Sequence, residues 1–148
     1  IWTAGLAVAP PLLLPSALAG PQGRLICQAN LRLAGEEAIF AAGDVAAVPD
    51  KRQQPLPAIA QVAMQQAPVL AHNVLASLDG KPLQDFHWND LGEMLSLGRG
   101  QAAITAKGFT MAGPTAAKLR EATYLARMPG MGQRLAAAVG WLGEYWQS

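Results

Sequence analysis

Three polar side chains stand where their neighbours give them a specific chemistry. Asp44 ends the run Ala38-Ile39-Phe40-Ala41-Ala42-Gly43-Asp44, which reads as a buried strand delivering a carboxylate to a sheet edge. Glycine at that point allows close backbone approach, and the carboxylate can accept two hydroxyl hydrogen bonds, which suits a polyol. Gln61 and Gln65 follow in Ala60-Gln61-Val62-Ala63-Met64-Gln65-Gln66, where the i, i+4 spacing predicts one helix face. The start of that helix, at Ala60 and Gln61, offers backbone N–H groups to an electron-rich ring edge. Taken alone, Asp44 reads as a turn or helix-cap aspartate, and the glutamines as ordinary solvent-facing residues. The apolar neighbours Val62, Ala63 and Met64 favour amides that need polar partners such as the carbonyls of a ring ligand.

The elements required to position these groups follow from patterning. Arg24 to Gln28 and Leu31 to Leu33 predict a small hairpin, Ala38 to Ala42 a buried strand, and Val48 to Leu56 a polar loop. Pro57 is placed at a helix start, and Ala58 to Leu78 has apolar residues at helical spacing until Asp79-Gly80, with a kink expected at Pro68. Phe86 to Trp88, Glu93 to Leu97 and Ala102 to Ala106 predict a short antiparallel sheet, followed by helices near Thr115 to Ala126 and Gln133 to Trp146. Gly98-Arg99-Gly100-Gln101-Ala102-Ala103 matches the letters of a dinucleotide fingerprint, but a strand rather than a long helix follows, so it reads as a hairpin turn. The fold class is α/β to α+β, with residues 1–80 and 81–148 as two domains.

Composition narrows the functions. Among 148 residues the formal charge is +1 and charged residues make up 14%, so nothing steers the chain towards nucleic acid. The single Cys27 forms no internal disulfide, CxxC pair or zinc cluster, and its apolar setting reads as a buried strand residue. No metal site is expected, and His72 and His87 read as structural. Leu6 to Ala19 is apolar but broken by Pro10, Pro11 and Pro15, which reads as a surface connection rather than a membrane span or signal peptide. A chain starting at Ile1 in a strand-like segment reads as a piece of a longer protein.

The paired Gly43-Asp44 and Ala60-Gln61-Val62-Ala63-Met64-Gln65 motifs resemble the second flavin-contacting segment of two-dinucleotide-binding-domain flavoproteins, most closely type II NADH:quinone oxidoreductases. Ile1-Trp2-Thr3-Ala4-Gly5 looks like that family's junction between its NADH and FAD domains, so the resemblance covers its C-terminal part. It implies that Gly43 and Asp44 bind the ribityl chain of FAD, and that Ala60 and Gln61 lie at the isoalloxazine. It also implies that Gln61 and Gln65 line a quinone pocket. Lys118 matches by position a lysine that the family holds near flavin and quinone, where a cation favours the charge of reduction. The family commonly has Pro-Thr before Ala-Gln, whereas this chain has Ala58-Ile59 and lacks that hydroxyl.

The implied activity is hydride transfer from NADH to FAD and then reduction of a membrane quinone, without proton pumping. The Gly-rich loops for FAD and NADH would lie upstream, so the isolated chain is expected to be inactive. The implied partners are quinone, a membrane surface at the cytoplasmic face and a second subunit as a homodimer. Leu135, Ala138, Val139, Leu142, Tyr145 and Trp146 recur at helical spacing, with Arg127 and Arg134 nearby, which fits an interfacial helix or a dimer helix. The alternatives are a sulfide:quinone or ferredoxin-reductase-like flavoenzyme, or a non-catalytic membrane or dimerisation module.

Overall fold

The computed structural model describes residues 7–8 and 19–145, for Pro21 and residues 142–145 the backbone alone. The strand-like segment that begins at Ile1, most of the Pro-rich tract and Trp146 lie outside the described residues. The described chain divides between Asn89 and Asp90 into two compact units.

In the first unit, short apolar segments pair by few bonds and are fastened to one long helix. β1 (Leu25–Ile26) pairs in parallel with β2 (Ala46–Ala47). The expected hairpin is reduced to one antiparallel bridge, Cys27 opposite Leu33, while Arg32 bridges Phe40 of the following segment. Ala38 to Ala42, expected as a buried strand, forms none: Ala38 bends, Phe40 makes one bridge to Arg32, Leu33 N donates to Ile39 O and Ala41 N to Leu31 O, the backbone is extended at Ala42, and of the five only Ala41 is buried. The positive φ of Gly43, +73°, ends that segment. The core gathers Leu25, Leu31, Leu33, Val48, Leu56 and Phe86 against Val62 of the helix.

α1 (Ala60–Leu78) starts two residues later than its apolar spacing predicts. Leu56 N donates to Val48 O, and Ile59 stays extended (φ −137°, ψ 151°), so the chain is still paired where Pro57 would have opened the helix. Buried positions Val62, Gln66, Asn73 and Ala76 recur at steps of four, seven and three, which is one helix face. The helix continues through Pro68, whose missing N–H leaves the carbonyl of the exposed Met64 without a helical donor. Gly80, at φ +66°, closes the other end: its N–H reaches Ser77 O and that of Lys81 reaches Ala76 O, a Schellman arrangement.

The second unit is a three-stranded antiparallel sheet of β3 (Glu93–Gly98), β4 (Gln101–Ala106) and β5 (Phe109–Gly113), followed by α2 (Pro114–Arg127) and α3 (Met131–Tyr145). Gly98 pairs with Gln101 across the Arg99-Gly100 turn, as the hairpin reading of the Gly-rich stretch expects. Phe86 to Trp88, expected as a strand, joins no sheet. Phe86 N is bound to Ala29 O, and the third strand is instead Phe109–Gly113. Lys107 (φ 48°) and Gly108 (φ 82°) form the two-residue turn that returns the chain, with Ala106 opposite Phe109. Ala102 and Ile104 of β4 pack on Ala116 and Ala117 of α2, with Met94 and Met111 at the edge of this small core. Leu95 and Leu97 on β3 are exposed.

Candidate functional site

The turn Gly43–Val45 is gripped by two buried polar side chains. Gln66, only 1% exposed, accepts a 2.6 Å hydrogen bond on Oε1 from Gly43 N. Arg24, 6% exposed, donates through Nε to Asp44 O at 3.1 Å and through Nη2 to Ala46 O at 2.5 Å. Its Nη1 donates to Leu56 O at 2.9 Å, so one guanidinium spans the turn and the chain that leads into α1. A methyl added to Gly43 would meet Ala63 Cβ at 3.5 Å, ordinary contact, so its left-handed φ rather than crowding favours glycine.

Asp44 itself is exposed, and its carboxylate has no hydrogen-bond partner among the described residues. Ile59, at the N-cap of α1, makes no side-chain cap, which is the structural result of lacking a hydroxyl there. Ala60 is exposed at the helix start and Gln61 is half-buried. The Gly43 turn is therefore packed on the first turns of α1, with Gly43 beside Ala63 and bonded to Gln66.

Gln65 is differently engaged. Its Nε2 donates to Asn89 O at 2.9 Å and its Oε1 accepts from Asn89 N at 3.0 Å, so the amide fastens the end of the first unit to α1. Lys118 is exposed on α2 of the second unit. His72 and His87 are exposed, and His87 lines a cavity of about 470 Å³ with Ala29, Phe86, Trp88 and residues 49–53. None of the residues singled out for flavin or quinone lines that cavity. The Cys27 thiol is buried and its pKa is pushed from 9.0 up to about 11 by burial, an effect partly offset by the Arg24 cation.

Arg24, Gln66 and Asn73 escaped the sequence reading. Asn73 is fully buried, donating through Nδ2 to Asn30 O and Gln84 O and accepting from Gln84 N, each at 2.8 Å. A signal for the two amides exists: both fall on the face shared by Val62 and Ala76, where a polar residue must find partners. Arg24 carries no such periodic signal beside a two-residue strand.

Among the described residues no group of three His, Cys, Asp or Glu could hold a metal ion. No helix among them is long and apolar enough to cross a membrane.

No family model matches the chain. It is 37% identical, over 96% of its length, to the demethylphylloquinone reductase NdbB of Synechocystis, of which it covers 35%. It is 34% identical, over 97% of its length, to an alternative NAD(P)H-ubiquinone oxidoreductase C1, chloroplastic/mitochondrial, of Arabidopsis thaliana, covering 29% of that protein. A type II NADH:quinone oxidoreductase of Staphylococcus epidermidis is 36% identical over 82% of the chain, which covers 30% of it. The chain thus spans about a third of the length of these curated relatives, and it belongs by sequence to the type II NADH:quinone oxidoreductase family, as a C-terminal part.

Proposed function

We propose that this chain contributes the second flavin contact and part of the quinone site to an FAD-dependent NAD(P)H:quinone oxidoreductase. The first unit would be the C-terminal segment of an FAD-binding domain of the two-dinucleotide-domain type, the role expected for residues 1–80. The second would serve membrane docking and dimerisation, the role expected for 81–148. The observation that carries the reading is the Gly43–Val45 turn held against α1 through Gly43, with Asp44 exposed, its carboxylate without a hydrogen-bond partner among the described residues, and no side-chain cap at the α1 N-terminus.

These residues fit a flavin. Asp44 can accept from ribityl hydroxyls, small residues at Gly43, Ala60 and Ala63 permit close approach, and the α1 N-terminus favours electron density at a ring edge. Bound there, FAD would supply hydride chemistry between a nicotinamide donor held upstream and a quinone. Gln61 would orient the ring ligands directly. Gln65 would contribute by holding Asn89 and so shaping the wall, and Lys118 would add positive charge near the reducible centre. A quinone fits the reactions for which the relatives are named, and a lipophilic one would be taken from a membrane at its cytoplasmic face, without proton pumping by this architecture. NADH would bind the part of the enzyme outside this chain.

The test is Asp44→Ala in the full-length protein. The carboxylate makes no hydrogen bond among the described residues, so the fold should persist while flavin retention falls by the loss of charge-assisted hydrogen bonds worth about 1.5–3 kcal/mol each. A normal flavin-to-protein ratio with unchanged NADH:quinone turnover would reduce Asp44 to a turn residue. The 148-residue chain alone, given FAD, should not oxidise NADH.

A further inference from the structure

Arg24 is a buried cation whose partners are all neutral. Its three hydrogen bonds end on the carbonyls of Asp44, Ala46 and Leu56, and among the described residues no carboxylate forms an ion pair with it. Burying a guanidinium is costly unless its donors are satisfied, so it is retained where a planar fork does what a smaller group cannot. Here the fork joins two segments separated by ten residues of sequence. One is the turn that carries Asp44; the other is the stretch whose extended course delays the start of α1 until Ala60. Gln66 pins the same turn from the helix side, through Gly43. The Asp44 backbone is therefore held from two directions while its carboxylate stays exposed.

We propose that Arg24 is a positioning residue for the flavin cradle: its guanidinium fixes the Asp44 turn against the approach to α1, and it acts on FAD binding through Asp44. The proposal rests on the flavin reading given above. Lysine retains the charge but is a compact point donor, so it cannot reproduce a fork that reaches three carbonyls on two segments.

A double-mutant cycle in the full-length protein tests this, with Arg24→Lys, Asp44→Ala and the double variant, reading FAD affinity by flavin fluorescence on reconstitution of apoprotein. Arg24→Lys should weaken FAD binding roughly tenfold in the wild-type background, the scale of one lost charge-assisted bond. In the Asp44→Ala background it should change affinity less than about twofold, because residues acting through one contact are not additive. An equal loss in both backgrounds, or no loss in either, overturns the proposal. Failure of the flavin reading looks different: wild-type protein purifies without flavin and takes none up, or Asp44→Ala by itself leaves affinity unchanged. Should Arg24→Lys show no cooperative unfolding transition, Arg24→Gln, which keeps one amide donor pair, takes its place in the same cycle with the same criteria.

Discussion

Gly43 and Gln66 are joined by a 2.6 Å hydrogen bond from backbone N–H to side-chain Oε1, across 23 residues of sequence. The amide is buried among apolar neighbours on α1, so the turn that exposes Asp44 depends on a core position of the helix. Gln66→Leu preserves apolar volume but strands the Gly43 donor. It should destabilise the full-length protein by about 1–3 kcal/mol in urea, whereas Met64→Leu, at an exposed position of the same helix, should change stability by no more than about 0.5 kcal/mol.

Gln65→Ala removes both bonds to the Asn89 backbone. Hydrogen exchange at the Asn89 amide should accelerate while that at the α1 interior stays slow, since local openings of a loosened segment need not involve the helix. Quinone reduction should fall with flavin content unchanged. Unaltered exchange at Asn89 alongside lost quinone reduction would instead assign Gln65 to direct ligand contact.

Cys27 makes a prediction about pH. Its pKa is raised from 9.0 to about 11 in the folded state, chiefly by burial, so folding favours the protonated thiol. That contribution is fully present below about pH 9 and is lost as pH rises through 11, because the unfolded chain then holds fewer protons than the folded one. Urea midpoints should therefore decline between pH 9 and 11 more steeply for wild type than for Cys27→Ala. Alkylation of Cys27 by iodoacetamide at pH 8 should be slow until denaturant is added.

The tail offers an apolar stripe. Met131, Leu135 and Val139, spaced i, i+4, i+8 on α3, are each more than 60% exposed, and Leu142 follows at i+11 in sequence, on the same side of a helix. Arg134 donates to Met128 O and Ala126 O, so its guanidinium joins α3 to the end of α2. Covering the stripe at about 25 cal/mol per Å² would contribute several kcal/mol, enough to hold a protein on a bilayer. Truncation after Pro129 should release the full-length enzyme from vesicles in flotation, and should slow reduction of long-chain quinones more than of short-chain ones. Equal flotation with a change from dimer to monomer on sizing would assign the stripe to a subunit contact.

Elements with a strong local signal were legible in the sequence. α1, α2, α3 and the Gly98 hairpin follow from spacing and turn residues, and the Gly43-Asp44 turn does lie against the Ala-Gln helix. Phe109–Gly113 was hidden because its outer positions are small or exposed, and its place depends on the Lys107-Gly108 turn rather than on a run of β-branched residues. The i, i+4 rule put Gln61 and Gln65 on one face but did not identify which face is buried. That depends on tertiary packing, which turns Val62, Gln66, Asn73 and Ala76 inward. Arg24 was invisible for the same reason: its partners are carbonyls 20 to 32 residues away, and carbonyls carry no sequence identity.

Gln66 and Asn73 give α1 the properties of a ruler. One holds Gly43 and the other holds Asn30 and Gln84, and seven residues return them to nearly the same direction around the axis. One residue inserted between them would rotate the two attachments by about 100° relative to each other and shift them by about 1.5 Å, so both could not be kept. Insertions should be accommodated instead in the exposed turn of residues 51–54, closed locally by Asp50 Oδ1 accepting from the amides of Arg52 and Gln54. The helix between its two buried amides is thus fixed in length as well as in composition.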